Sequence, residues 1–178
     1  MSKTDDFIWK AIQTACWLIF AGLCIQTGTL IFNYVYSLFK PVATHNLHLG
    51  LDLSKIYEQS FLLYNALFSL ILILSFLKAT VFYFVIRLFT KMEISKPFST
   101  AISNQITTIS YYSFSVGLIS YLAHQFVKQI SKRGYDAHEI SRYWDDSGAY
   151  LMMSAILFVI AMIFKKGIEL QNENELTV

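Results

Sequence analysis

The side chains able to do chemistry in this chain are few, and their spacing limits what each can do. His45 and His48 stand three apart, and on a turn they could share a cation. A protein metal site normally takes three or four ligands. No Cys or carboxylate lies at a convincing spacing, so they read as ordinary interfacial histidines and no metal is expected. Cys16 and Cys24 fall in one apolar run. On a single helix they are about 12 Å apart along the axis, too far to bridge, and they read as small apolar residues. Lys78 interrupts a second apolar run. An ammonium there is either a proton-relay group with a carboxylate partner or a side chain snorkelling to the interface. No other apolar segment supplies a carboxylate, so snorkelling is the expectation. Tyr111, Tyr112 and Ser113 belong to a hydroxyl-rich stretch that, together with Lys78, could line a cavity. A Gly-rich phosphate loop, H-E-x-x-H, C-x-x-C and G-x-S-x-G are all missing. The chain is therefore not read as an enzyme, and no catalytic residue or cofactor is assigned.

These groups must be positioned by long apolar segments. Of the 178 residues, 55% are hydrophobic and only 15% are charged, with a mean hydropathy of +0.47. Soluble domains carry roughly 25% charged residues, so lipid is the expected solvent. Crossing a bilayer takes about 20 apolar residues. Four segments qualify or nearly so, at about 11–36, 60–88, 102–127 and 148–164. The first is too long for a signal-peptide core. Pro41 and Gly50 punctuate the first connection, where a loop with one short interfacial helix is expected. Pro97 suits the first turn of the third helix. In that helix Ser113 and Gly117 form a small-xxx-small step, which favours close helix packing. The connection from Lys128 to Asp146 mixes charges of both signs and reads as a solvated face. The expected fold is all-α: a single integral-membrane four-helix bundle over residues 1–178, followed by a short polar tail, 165–178.

An even number of spans puts both termini on one side. Counting Lys and Arg in the flanks, the termini-side face holds seven and the opposite face six, a slight lean toward cytoplasmic termini. A net charge of +2, dispersed along the chain, gives no reason to expect direct nucleic-acid binding.

Two stretches carry a resemblance. Ser95-Lys96-Pro97-Phe98, followed by Asn104, is similar to a G-x-P-F-like step opening the third helix. The end of the chain matches a K-x-G-x-E-L-Q-x-E-x-x-L-T-V pattern through Lys165, Gly167, Glu169, Leu170, Gln171, Glu173, Leu176, Thr177 and Val178. Together with length and span layout, these resemble the bacterial membrane-protein family of unknown function numbered twenty-nine seventy-five. Ser95 stands where glycine is common, and Gln105 and Ile106 follow Asn104 where basic residues are usual. The resemblance implies a four-span protein of the bacterial inner membrane with cytoplasmic termini. Members are often encoded beside a small helix-turn-helix regulator, which implies that regulator as a partner.

Three functions compete at this point. The first is a regulatory partner that tethers the helix-turn-helix protein. Its surface would be Pro97 and Phe98 with Glu169, Leu170, Gln171, Glu173, Leu176, Thr177 and Val178, where acidic and apolar residues interleave. The second is a small-molecule or ion pathway lined by Lys78, Tyr111, Tyr112 and Ser113. The third is a structural subunit of a larger complex or homo-oligomer, using small residues near Gly117, Ala149 and Ala155.

Overall fold

The structure, a computed structural model, describes residues 3–91, 99–135 and 137–175. Among these it is all-helical, with no strand. The helices are α1 (Lys3–Phe39), α2 (Ser54–Gln59), α3 (Phe61–Lys91), α4 (Thr100–Ser131) and α5 (Ser147–Glu175). The four long ones run 37, 31, 32 and 29 residues. At 1.5 Å per residue each is about 44–55 Å long, more than the hydrocarbon thickness of about 30 Å. The ends therefore reach beyond the thickness of a bilayer, and each helix exceeds the span expected from sequence because breakers such as Pro41 and Gly134 lie outside the apolar limits. Helix α5 in particular continues through Lys165 and Gly167 to Glu175, so the expected tail is, as far as Glu175, an extension of the last helix.

Three stretches are long and apolar enough to cross a membrane: Phe7–Phe39, Phe61–Thr90 and Glu139–Glu173. Large apolar side chains stand exposed along them, among them Leu18, Ile25, Phe76, Met152 and Ile163. A soluble monomer rarely exposes an apolar surface this extensive. Helix α4 is not among the three, and its packing explains why it can be more polar. It lies between two neighbours, with α3 on one side and α5 on the other. Ser103 donates to the Ala161 carbonyl at 3.2 Å and Ser110 to the Ser154 carbonyl at 2.9 Å. Thr107, Thr108 and Ser115 donate to carbonyls one turn back on their own helix. Satisfied in this way, hydroxyls cost little in a low-dielectric setting.

The long helices run antiparallel to their packing neighbours. Trp9 meets Phe89 and Tyr34 meets Phe68 across α1 and α3. Gln105 donates to the Phe84 carbonyl across α3 and α4. Among the described residues the long helices pack as three adjacent pairs, α1 on α3, α3 on α4 and α4 on α5, with no comparable packing of α1 against α5. Much of α1 is covered on one face only.

At the end where α1 and α4 finish, the two connections fold over the helices as a cap. Pro41–His45 and His48–Gly50 form 3-10 turns, and α2 follows. Leu47, Leu51, Leu53 and Ile56 are buried with Tyr64, Phe68, Ile140 and Trp144 in one cluster. The second connection turns at Gly134, whose φ of 91° ends α4 in the left-handed conformation that glycine adopts most readily. It then crosses to the first connection. The Asp52 amide donates to Glu139 at 3.3 Å, Arg142 to the Leu49 carbonyl at 3.2 Å, and the Tyr143 hydroxyl to the His48 carbonyl at 3.2 Å. The expectation of a merely solvated face thus holds for only part of this segment.

Asp52 organises the entry to α2. Its carboxylate accepts from the Ser54 hydroxyl at 2.6 Å and the Ser54 amide at 2.9 Å, an Asx-type turn. These bonds, the side-chain one foremost, with His45 beside them, outweigh partial desolvation and hold the carboxyl below its ordinary value of 3.8. A depressed pKa stabilises the fold above the unfolded value, and that contribution is lost as pH falls through the folded pKa. Acidification below about pH 4 is therefore expected to loosen residues 52–57. Hydrogen exchange, corrected for the intrinsic pH dependence, should show faster opening there in the native chain and no such step in Asp52→Asn.

Candidate functional site

Lys78 lies in the middle of α3, and its carboxylate partner comes from outside the apolar segments, from the connection before α5. Its Nζ is 2.7 Å from Asp146 Oδ2 and donates to the Tyr143 carbonyl at 3.1 Å. The Tyr150 ring lies 5.7 Å from it, within cation–π range. Asp146 comes from the segment before the last span. Because α5 begins at Ser147, while α4 runs far past that level, the intervening chain returns toward the membrane and carries Asp146 down to α3. The Lys78 side chain is only 16% exposed and that of Asp146 is 43% exposed. This is an ion pair screened on one side and open on the other.

A cavity of 310 Å³ adjoins the pair, lined by Leu23 and Gln26 of α1, Leu74 and Ser75 of α3, Tyr150 of α5, and Leu49, Arg142 and Tyr143 of the cap. Among the described residues, Asp146 Oδ1 of this pair and the buried indole nitrogen of Trp144, two positions earlier in the chain, have no hydrogen-bond partner. The arrangement can hold a charge pair at the edge of a low-dielectric region and admit water or a small polar molecule beside it.

The other residues expected beside Lys78 do not line this cavity. Ser113 is fully buried and its hydroxyl is unpartnered. Tyr112 packs against Phe84 with ring centroids 5.1 Å apart. Tyr111 is exposed near Phe158. Gly117 is turned inward against Leu151, whereas Ala149 and Ala155 face outward. Asp146, Gln26, Ser75 and Tyr150 were not singled out from sequence. The available signal was the unpaired Lys78 itself together with an acid immediately before a span. His45 Nδ1 lies 3.7 Å from Asp52 Oδ2. Among the described residues no group of three or more His, Cys, Asp or Glu is placed to hold a metal ion.

At the opposite end, a groove of 560 Å³ runs between the start of α4 and the second half of α5. Thr100, Ser103 and Asn104 form one wall, and Ala161, Met162, Lys165, Ile168 and Glu169 the other. Glu169 also pairs with Lys166 at 2.8 Å, one turn back. Leu170, Gln171 and Glu173 are exposed on the same helix. Of the expected partner surface, Glu169, Leu170, Gln171 and Glu173 thus lie on the end of α5, and Glu169 shares a groove with the first turn of α4. Pro97, Phe98, Leu176, Thr177 and Val178 lie outside the described residues.

Fold and site together define a helical protein with three membrane-competent helices, a folded cap at one end and an exposed helix end at the other. The family model described as "Protein of unknown function (DUF2975)" matches residues 52–178, well over half of the chain and everything from α2 onward. The chain belongs to that family. No curated protein and no solved structure matches it.

Proposed function

We propose that this is a non-enzymatic, single-domain protein of the bacterial inner membrane, crossing four times with cytoplasmic termini, that tethers a small helix-turn-helix regulator. The observation that carries the reading is the end of α5. It leaves the apolar span at Lys165 and Lys166 as an unbroken helix and presents Glu169, Leu170, Gln171 and Glu173 at its surface. A helix with alternating acidic and apolar exposed positions suits a groove-binding or basic partner, and its carboxylates compete with DNA phosphates for a basic recognition helix. The fourth crossing is supported by direction. Helices α3 and α5 are both antiparallel to α4, so if both span, α4 returns through the same bilayer. The basic ends Lys91, Lys165 and Lys166 then share a face with the N-terminus, in keeping with the positive-inside tendency.

Deleting residues 170–178 is expected to release the neighbouring regulator from membranes into the soluble fraction, measured by fractionation with the remaining chain still membrane-integrated. An unchanged distribution would sink the tethering role. The cavity beside Lys78 favours a second reading, in which a small polar molecule or ion enters between α1 and α5.

A further inference from the structure

The groove between α4 and α5 has a polarity sequence that matches one kind of molecule. Along one face of α5, Phe158 and Met162 come first, then Lys165, then Glu169, at helical spacings of three and four. The order from the membrane outward is therefore apolar, cationic, anionic. We propose that this groove binds a phospholipid of the cytoplasmic leaflet whose head carries a phosphate and a primary amine. Its acyl chain lies over Phe158, Ala161 and Met162, its phosphate meets Lys165, and its ammonium meets Glu169. The inference rests on the membrane placement proposed above, but not on any protein partner.

Four observations carry it. Phe158, Ala161 and Met162 make the α5 wall of the groove apolar at the end away from Lys165, where water is unfavourable and an acyl chain is the available filler. Lys165 and Glu169 are separated by about 6 Å along the axis, the scale of a two-carbon linker between phosphate and amine. Glu169 bonds Lys166 through Oε2, which leaves Oε1 for an ammonium donor. Across the groove, Thr100 and Asn104 supply a hydroxyl and an amide at the level of the head group. An anionic glycerol head offers Glu169 only hydroxyls, and a trimethylated head has no N–H to donate. Both are worse matches.

The test is lipid retention on the purified full-length protein, read by native mass spectrometry after exchange into micelles containing phosphatidylethanolamine, phosphatidylglycerol or phosphatidylcholine. Phosphatidylethanolamine is expected to be retained over the other two by about two- to fivefold, the scale of one exposed ion pair. Glu169→Gln should bring the ratio to about one, and Lys165→Gln should lower retention of all three phospholipids. Both side chains are exposed, so neither change removes a packed group. Equal retention by the native chain overturns the proposal. So does a preference that survives both substitutions, because the lipid then binds elsewhere. Deleting residues 170–178 keeps Lys165 and Glu169, so the lipid preference should persist whether or not that deletion releases a regulator. The two readings therefore fail separately.

Discussion

Replacing Asp146 with alanine should lower the unfolding midpoint of the purified protein more than any other single charge removal. The substitution leaves the Lys78 ammonium with one carbonyl, that of Tyr143, in a setting where its side chain is 16% exposed. Removing one partner of a fully buried pair costs about 3–5 kcal/mol. The 43% exposure of Asp146 lets water compensate in part, which brings the expectation to about 1–3 kcal/mol. Asp146 also flanks the first turn of α5, where its backbone carbonyl accepts the Tyr150 amide at 3.2 Å whatever the side chain. A carboxylate there also favours the helix N-terminus. Asp146→Asn keeps a polar side chain of the same shape and loses the charge. If the pair dominates, Asn should destabilise nearly as much as Ala. The double variant Lys78→Met/Asp146→Ala should then recover most of the loss, because removing both charges avoids the stranded ammonium. A double variant no more stable than Asp146→Ala would mean that the pair contributes little and that the carboxylate charge beside the N-terminus of α5 explains the effect.

The reason Asp146 was not legible in the sequence lies in chain geometry. Read in one dimension, it belongs to a charged connection containing Lys132, Arg133, Glu139, Arg142 and Asp145. Nothing in that pattern distinguishes it from its neighbours. What singles it out is the mismatch in helix ends, with α4 running on to Ser131 and α5 starting low at Ser147, which folds the connection back onto α3. Helices, by contrast, were legible because apolar runs are local signals, although their ends were misplaced: α4 starts at Thr100 under a Ser99 cap and not with Pro97 in its first turn. Periodic hydropathy marks where lipid begins, whereas a helix stops only where its backbone bonding stops. Its hydroxyls made the third span look polar, and only the Ala161 and Ser154 carbonyls facing Ser103 and Ser110 show where part of that polarity goes. The end of α5 was recognisable as an exposed acidic and apolar segment. Its continuity with the span was not, since Gly167 and the two lysines read equally well as an exit from helix.

The seam between α4 and α5 should be the most intolerant to added volume, and Gly117 is where that is tested. A Cβ built there would lie 2.7 Å from Leu151 Cγ, 2.9 Å from Cδ2 and 2.9 Å from the Leu151 backbone nitrogen. A leucine tip can rotate away, but a backbone nitrogen moves only if the helix moves. Gly117→Ala therefore has to push α5 outward, and the hydroxyl bonds from Ser110 and Ser103 to α5 carbonyls lie within two and four turns of that point. Overpacking of this kind costs typically about 1–3 kcal/mol, and Gly117→Val should exceed Gly117→Ala. The better helix propensity of alanine, worth about 1 kcal/mol over glycine, works in the opposite direction, so a net loss isolates the steric term. Pairing Gly117→Ala with Leu151→Ala makes the cycle decisive. The second change removes two of the three close contacts and leaves the backbone one. The coupling energy should be favourable but incomplete, with the double variant still less stable than Leu151→Ala alone. Full recovery would mean that side chains alone set the helix spacing. If Gly117→Ala is instead more stable than the native chain, α4 and α5 do not approach as closely as their small-residue step implies.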